Sequence, residues 1–170
     1  MRKSLHALYR ACGALAGAAL VAMLAMIALN IAGGVFGFFI RGLDAYAGYL
    51  MAAASFLALA YTLKAGEHIR VTLLLLRLPT HLRRGIEIAC LLLAATITGY
   101  FAWHSVDMVY ISWRLGDVSQ ATDQTPLWIP QSLMAFGVVV LFIAFVEETI
   151  DEVMGRRKPP PKTDVPAHIE

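Results

Sequence analysis

Four long stretches of the chain carry no Asp, Glu, Lys or Arg: Ala11 to Ile40, Ala45 to Leu63, Ile88 to Val106 and Thr125 to Val146. Each reaches or exceeds the roughly 18 apolar residues that read as a membrane-spanning helix. The pattern predicts an all-α membrane protein with four transmembrane helices, spanning about residues 11–33, 45–63, 86–106 and 127–147. A single transmembrane domain over 1–154 and a disordered tail over 155–170 are the expected organisation.

Within these stretches the finer pattern places turns and packing faces. Helix one is expected from near Tyr9, with Ala14, Gly17, Ala18, Ala25 and Ala28 small enough for another helix to approach closely. It is expected to break or fray at Asn30 and Gly33-Gly34. Phe36, Phe38 and Phe39 suit a headgroup belt, and Arg41-Gly42-Leu43-Asp44 turns the chain. That loop is short, so helices one and two should be antiparallel neighbours. Helix two offers Ala52-Ala53-Ala54-Ser55 as a packing face. Helix three is expected from about residue 82 or 83 to beyond Val106, as far as Trp113. Pro126, Trp128 and Pro130 open helix four, since a first turn tolerates missing N–H donors.

Between helices two and three lies AGEHIRVTLLLLRLPTHLRRG, starting at Ala65. Arg70 and Arg77 are one heptad apart, hence on nearly one helical face, and leucines fill much of the rest. Ten helical residues rise only about 15 Å, half the ~30 Å hydrocarbon core, so the piece cannot cross it. The pattern predicts a short amphipathic segment lying in the interface, leucines down and arginines toward phosphates, ended by Pro79. Two readings stay open: a connection resting on lipid, and an arm bracing a larger membrane partner.

Composition agrees with the pattern. Of 170 residues, 59% are hydrophobic and 15% charged, against about a quarter charged in soluble domains; mean hydropathy is +0.66. Arg2, Lys3 and Arg10 before an apolar run also suit a secretory signal, but the run exceeds the ~7–15 residues of a signal core and lacks a clear small-residue cleavage site. A retained first helix is expected.

Net charge is only +2, yet the cations are strongly sided. Twelve of the 14 Lys and Arg residues fall in the N-terminus, the central loop and the tail, leaving Arg41 and Arg114 for the other side. Basic residues of short loops stay cytoplasmic, so both termini and the central loop are expected in the cytoplasm. The basic balance speaks of topology and lipid headgroups and gives no support for nucleic acid. The tail GRRKPPPKTDVPAHIE is too polar and proline-rich to order itself, and reads as solvated.

Several chemistries lack their residues. None of the spans has a charge near its centre, which argues against an independent proton-coupled transporter. His104 is the one histidine inside a span, so a bis-histidine haem site has no pair; it reads as a polar residue near the outer interface. Cys12 and Cys90 lack CxxC spacing and read as small core residues. No GxxxxGK[ST] loop, HExxH or persuasive Ser/His/Asp set occurs. No enzyme activity, cofactor or metal is expected. A self-sufficient small transporter or channel, and a membrane cytochrome subunit, remain the alternatives to an accessory subunit.

Gly66-Glu67-His68-Ile69-Arg70-Val71, then Leu78-Pro79 and Arg83-Arg84, then Pro126-Leu127-Trp128-Ile129-Pro130-Gln131 follow one another within a four-span chain. In this order the chain resembles, from about Tyr9 to Glu148, the small membrane subunit (DctQ-like) of tripartite ATP-independent periplasmic (TRAP) transporters. The resemblance implies a scaffold subunit of the bacterial inner membrane. It implies two partners, a large membrane subunit holding the substrate and sodium sites and a periplasmic substrate-binding protein, together taking up an organic acid such as a dicarboxylate on a sodium gradient. Glu67, His68, Arg70, Arg77, Arg83 and Arg84 are then candidates for meeting the large subunit or lipid, with local ion pairs at the inner turn as the other reading. Arg41, Asp44, Asp107, Arg114, Asp117 and Asp123 are candidates for the binding protein, with solvated loop charges as the alternative. Trp103, Trp113 and Trp128 read as interfacial anchors.

Overall fold

The computed structural model describes residues 2–65, 80–121 and 123–155. Among these residues are four helices: α1 (Arg2–Phe36), α2 (Leu43–Ala65), α3 (Thr80–Leu115) and α4 (Trp128–Val153). All four are long and apolar enough to cross a membrane, as the charge-free stretches predict. The expected interfacial segment, with Glu67, His68, Arg70 and Arg77, lies outside the described residues, as does the tail from residue 156.

Helix ends follow from backbone chemistry. α1 runs through Gly33-Gly34 and does not break there; it ends at Gly37, whose φ is +75°. Phe38 N–H then donates to Gly33 O at 3.0 Å, satisfying a carbonyl that the helix leaves open. Apolar surroundings explain the correction, because no water competes for the helical hydrogen bonds around the two glycines. Gly33 also seats the returning chain, since a Cβ there would meet the Phe38 carbonyl oxygen at 2.6 Å. The same closure recurs after α3, where Gly116 has φ +66° and Asp117 N–H donates to Ser112 O. At the start of α2, Gly42 O accepts from Tyr46 N–H at 3.0 Å, and Asp44 places a carboxylate in the first turn, where the helix dipole favours it.

The segment between α3 and α4 is more ordered than its polarity suggests. Ser119 N–H donates to Thr125 O at 2.8 Å and Leu127 N–H to Asp117 O at 2.9 Å, around a β-bridge between Val118 and Pro126. These bonds fold the loop into a short hairpin at the mouth of α4.

Packing orders the helices as α1, α2, α4, α3. A row rather than a closed bundle leaves large apolar faces exposed on α1 and α3, as in Leu24, Ile31, Leu93 and Tyr100. The core joins α1, α2 and α4 through Tyr9, Cys12, Ala16, Ala53, Leu57, Ala60, Val140, Leu141 and Ala144. It is built mostly of small side chains, because membrane helices associate through close van der Waals contact and not by escaping water. Gly137 brings α4 close against α2: a Cβ there would lie 2.7 Å from the backbone carbonyl carbon and oxygen of Phe56.

Two expectations about small residues change. Ala53 and Ala54 are buried as proposed, but Ser55 is exposed. On α1 the packed face is Tyr9, Cys12, Gly13 and Ala16, whereas Ala14, Gly17, Ala18, Ala25 and Ala28 are exposed. Cys12 is buried, but Cys90 is exposed, so only one of the two cysteines is a core residue. Cys90 falls on a face of α3 that α4 does not cover.

Candidate functional site: two polar clasps and an exposed groove

Polar side chains gather at the two ends of the row. At the end where α1 begins and α4 ends, Lys64 Nζ lies 2.7 Å from Glu147 Oε2 and 3.0 Å from Glu148 Oε1. Tyr9 donates its hydroxyl to the same Glu147 oxygen at 2.9 Å, and Lys64 sits 5.5 Å from the centre of the Tyr9 ring. His6 meets Tyr9 edge to face. Both partners of the Lys64–Glu147 pair are nearly buried, with side-chain exposures of 11% and 15%. Charges so placed persist when paired and hydrogen-bonded, so the cluster ties three helices together where the apolar span gives way to polar ends. Arg84 completes this end by donating to the carbonyls of Glu152 and Val153 at 3.3 and 3.0 Å, closing α4 from α3.

The opposite end holds a second clasp. Asn30 donates to Asp44 Oδ1 at 2.6 Å, linking α1 to α2. Tyr49 donates to Asp123 Oδ2 at 3.1 Å, and Thr125 donates to the Tyr46 hydroxyl at 3.2 Å, pinning the α3–α4 hairpin onto α2. The Thr125 hydroxyl, with Ser119 and Tyr49 adding to it, holds the Asp123 carboxyl below the usual carboxylate range despite some desolvation. Gly42 lets this contact form, having φ +82° and Asp123 Cβ 2.7 Å from where its own Cβ would stand.

The candidates from the sequence are distributed unevenly over these features. Arg84 makes the internal contact just described, while Arg83 is in the first turn of α3 and its side chain is not among those described. Asp44 and Asp123 belong to the second clasp. Arg41 is exposed in the α1–α2 turn. Asp117 receives Leu127 N–H on its backbone carbonyl. Arg114 lies 5.7 Å from the centre of the Tyr110 ring. Asp107 is exposed and lines a groove of about 500 Å³ between α3 and α4. His104 stacks edge-on with Tyr100 at 4.3 Å on the exposed side of α3.

Lys64, Glu147, Glu148 and Tyr9 escaped the sequence reading. Lys64 counted there among the basic residues of the central loop, Glu147 as the last residue of the fourth span and Glu148 as the residue just beyond it. A signal existed, since helices two and four must end on the same side of the membrane with opposite charges. Sequence pattern alone does not say that α2 and α4 are neighbours.

Chemically, this arrangement joins and stiffens helices. Among the described residues no group of three or more His, Cys, Asp or Glu side chains is placed to hold a metal ion. The polar groups of the two clasps face one another across helix contacts, and large apolar side chains are exposed along α1 and α3 between them.

No curated protein and no solved structure matches the chain. A family model does: Tripartite ATP-independent periplasmic transporters, DctQ component, over residues 23–155. That match takes in the last part of α1 (residues 23–36), all of α2, α3 and α4, and both clasps except His6 and Tyr9. With four span-length helices and a match covering well over half its length, the chain belongs to the DctQ family, the small membrane component of TRAP transporters.

Proposed function

We propose that this chain is the scaffold subunit of a sodium-driven uptake system for an organic acid such as a dicarboxylate. It pairs with a large membrane subunit, which holds the substrate and sodium sites, and works with a periplasmic binding protein. The family match over residues 23–155 carries this reading. The row of helices supports it: charged side chains within the row tie helices together, and wide apolar faces remain for lipid and a partner. Both termini and the 66–79 segment are assigned to the cytoplasm, from the sidedness of Lys and Arg. The arm carrying Glu67, His68, Arg70 and Arg77 then lies at the inner interface, against lipid or the large subunit. On the periplasmic side, Arg41, Asp117 and the α3–α4 hairpin offer the surface that a binding protein meets.

The test is purification of the tagged chain in mild detergent after expression with the large-subunit and binding-protein genes of the same genome. A fixed-ratio complex that takes up a labelled organic acid into liposomes only on a sodium gradient is expected. Uptake by this chain alone would overturn the scaffold reading.

A further inference from the structure

The groove between α3 and α4 is walled by Trp103, Val106, Asp107 and Tyr110 from α3 and by Val139 and Phe142 from α4. Its volume of about 500 Å³ is within the ~300–1,000 Å³ of ordinary binding sites. Val139 and Phe142 lie roughly 16–21 Å along α4 from Trp128, so the groove runs beside the middle of that helix's apolar stretch. Every wall side chain is apolar or aromatic except the Asp107 carboxylate.

Asp107 is exposed, and among the described residues no hydrogen bond or ion pair reaches its side chain. A carboxylate opening onto an apolar groove in a membrane helix is costly, and such residues are kept where they meet a partner. Arg114, about two turns further along α3, lies over the Tyr110 ring. Trp103 is 74% exposed and Tyr110 51%, and both are residue types enriched where interfaces gain most of their energy.

We propose that this groove receives a transmembrane helix of the large membrane subunit, which sets an Arg or Lys side chain against Asp107 between Trp103 and Tyr110. Charge selects the occupant. A second apolar helix without a cation leaves the carboxylate unpaired. Asp107 lies about 12 Å along α3 from the helix end at Leu115, so a lipid headgroup is the competing occupant, and the crosslink from position 103 separates it from a helix. The inference rests on the scaffold reading, because it takes the large subunit as the partner.

The experiment uses the complex purified from cells that express the full chain with the large-subunit gene of the same genome. A photoreactive benzoyl-phenylalanine is placed at Trp103, and at Leu24 on α1 for comparison. The expected result is a crosslink from position 103 to one helix of the large subunit. Asp107→Lys should lower the large subunit retained at least about tenfold, and Asp107→Asn should lower it less. Changing the Arg or Lys of the crosslinked helix to Asp should restore retention by Asp107→Lys. Should Asp107→Lys fail to fold, the crosslink in the otherwise natural chain and the Asp107→Asn variant still decide. A crosslink from position 103 only to lipid or to a second copy, or full retention by both Asp107 variants, overturns the groove proposal while leaving the scaffold reading intact. Failure of the unaltered chain to retain the large subunit overturns both.

Discussion

At the scale of single residues, Lys64 is the charge on which three helices converge. Replacing it leaves Glu147 and Glu148 side by side with little water. Breaking a buried pair from one side costs about 3–5 kcal/mol, and the residual exposure of these carboxylates lowers that figure. Lys64→Met is therefore expected to lower the melting temperature in detergent clearly, and the double variant with Glu147→Leu to recover part of the loss. Additive losses, with the double variant falling by the sum of the two single variants in a double-mutant cycle, would show that the pair is not coupled. Gly42 is the comparable backbone position. An alanine there meets an unfavourable positive φ, about 1–2 kcal/mol for an L residue, and a clash with Asp123 Cβ besides. Gly42→Ala should destabilise by more than that, read by thermal unfolding.

At the scale of elements, α2 and α4 approach backbone to backbone at one glycine. Gly137 lets α4 touch the Phe56 carbonyl of α2, so Gly137→Ala must push two helices apart, an overpacking cost of about 1–3 kcal/mol. Gly17 is also helical, but a Cβ there meets nothing within 4 Å. Gly17→Ala should be neutral or stabilising, since alanine favours a helix by up to about 1 kcal/mol over glycine. A matched pair of thermal melts separates the two, and equal destabilisation would contradict the packing. The hairpin clasp adds a pH dependence. Asp123 has a lowered folded-state pKa, so its contribution is fully present above the unfolded value of about 4 and is lost as pH falls through the folded one. Thermal stability of the natural chain should fall on acidification below pH 4 by more than that of Asp123→Asn. Parallel curves would show that the carboxylate contributes nothing.

For the whole molecule, a row of four helices gives wide faces and little enclosed interior. That shape suits a component that widens a larger assembly, and the two clasps hold the row flat at either rim while small residues hold its middle. The proposed placement across the bilayer rests on the sidedness of twelve of the 14 basic residues. A green fluorescent protein fused to the C-terminus should fluoresce, and Arg41→Cys should react with an impermeant maleimide added outside cells with a permeabilised outer membrane. Protection of Arg41→Cys together with a dark fusion would invert the topology.

What the linear pattern determined was the number of helices, their rough bounds and the family. Length without charge is a local property, and lipid demands that each span satisfy its own backbone, so each helix is legible from its own residues. The turn at Arg41-Gly42-Leu43-Asp44 is local in the same way. The pattern misjudged Gly33-Gly34, because a glycine pair weakens a helix in water more than among apolar neighbours. It also assigned the small residues of α1 to a packing face before any neighbour was known. Only the tertiary structure decided that α4 lies between α2 and α3, and therefore that Lys64 meets Glu147 and Glu148, that Asp123 closes on Gly42, and that Asp107 opens onto a groove. Those pairings join residues as much as 138 positions apart, as Tyr9 is from Glu147. Periodicity records which way a side chain faces, whereas what it faces depends on helix order, which no single span encodes.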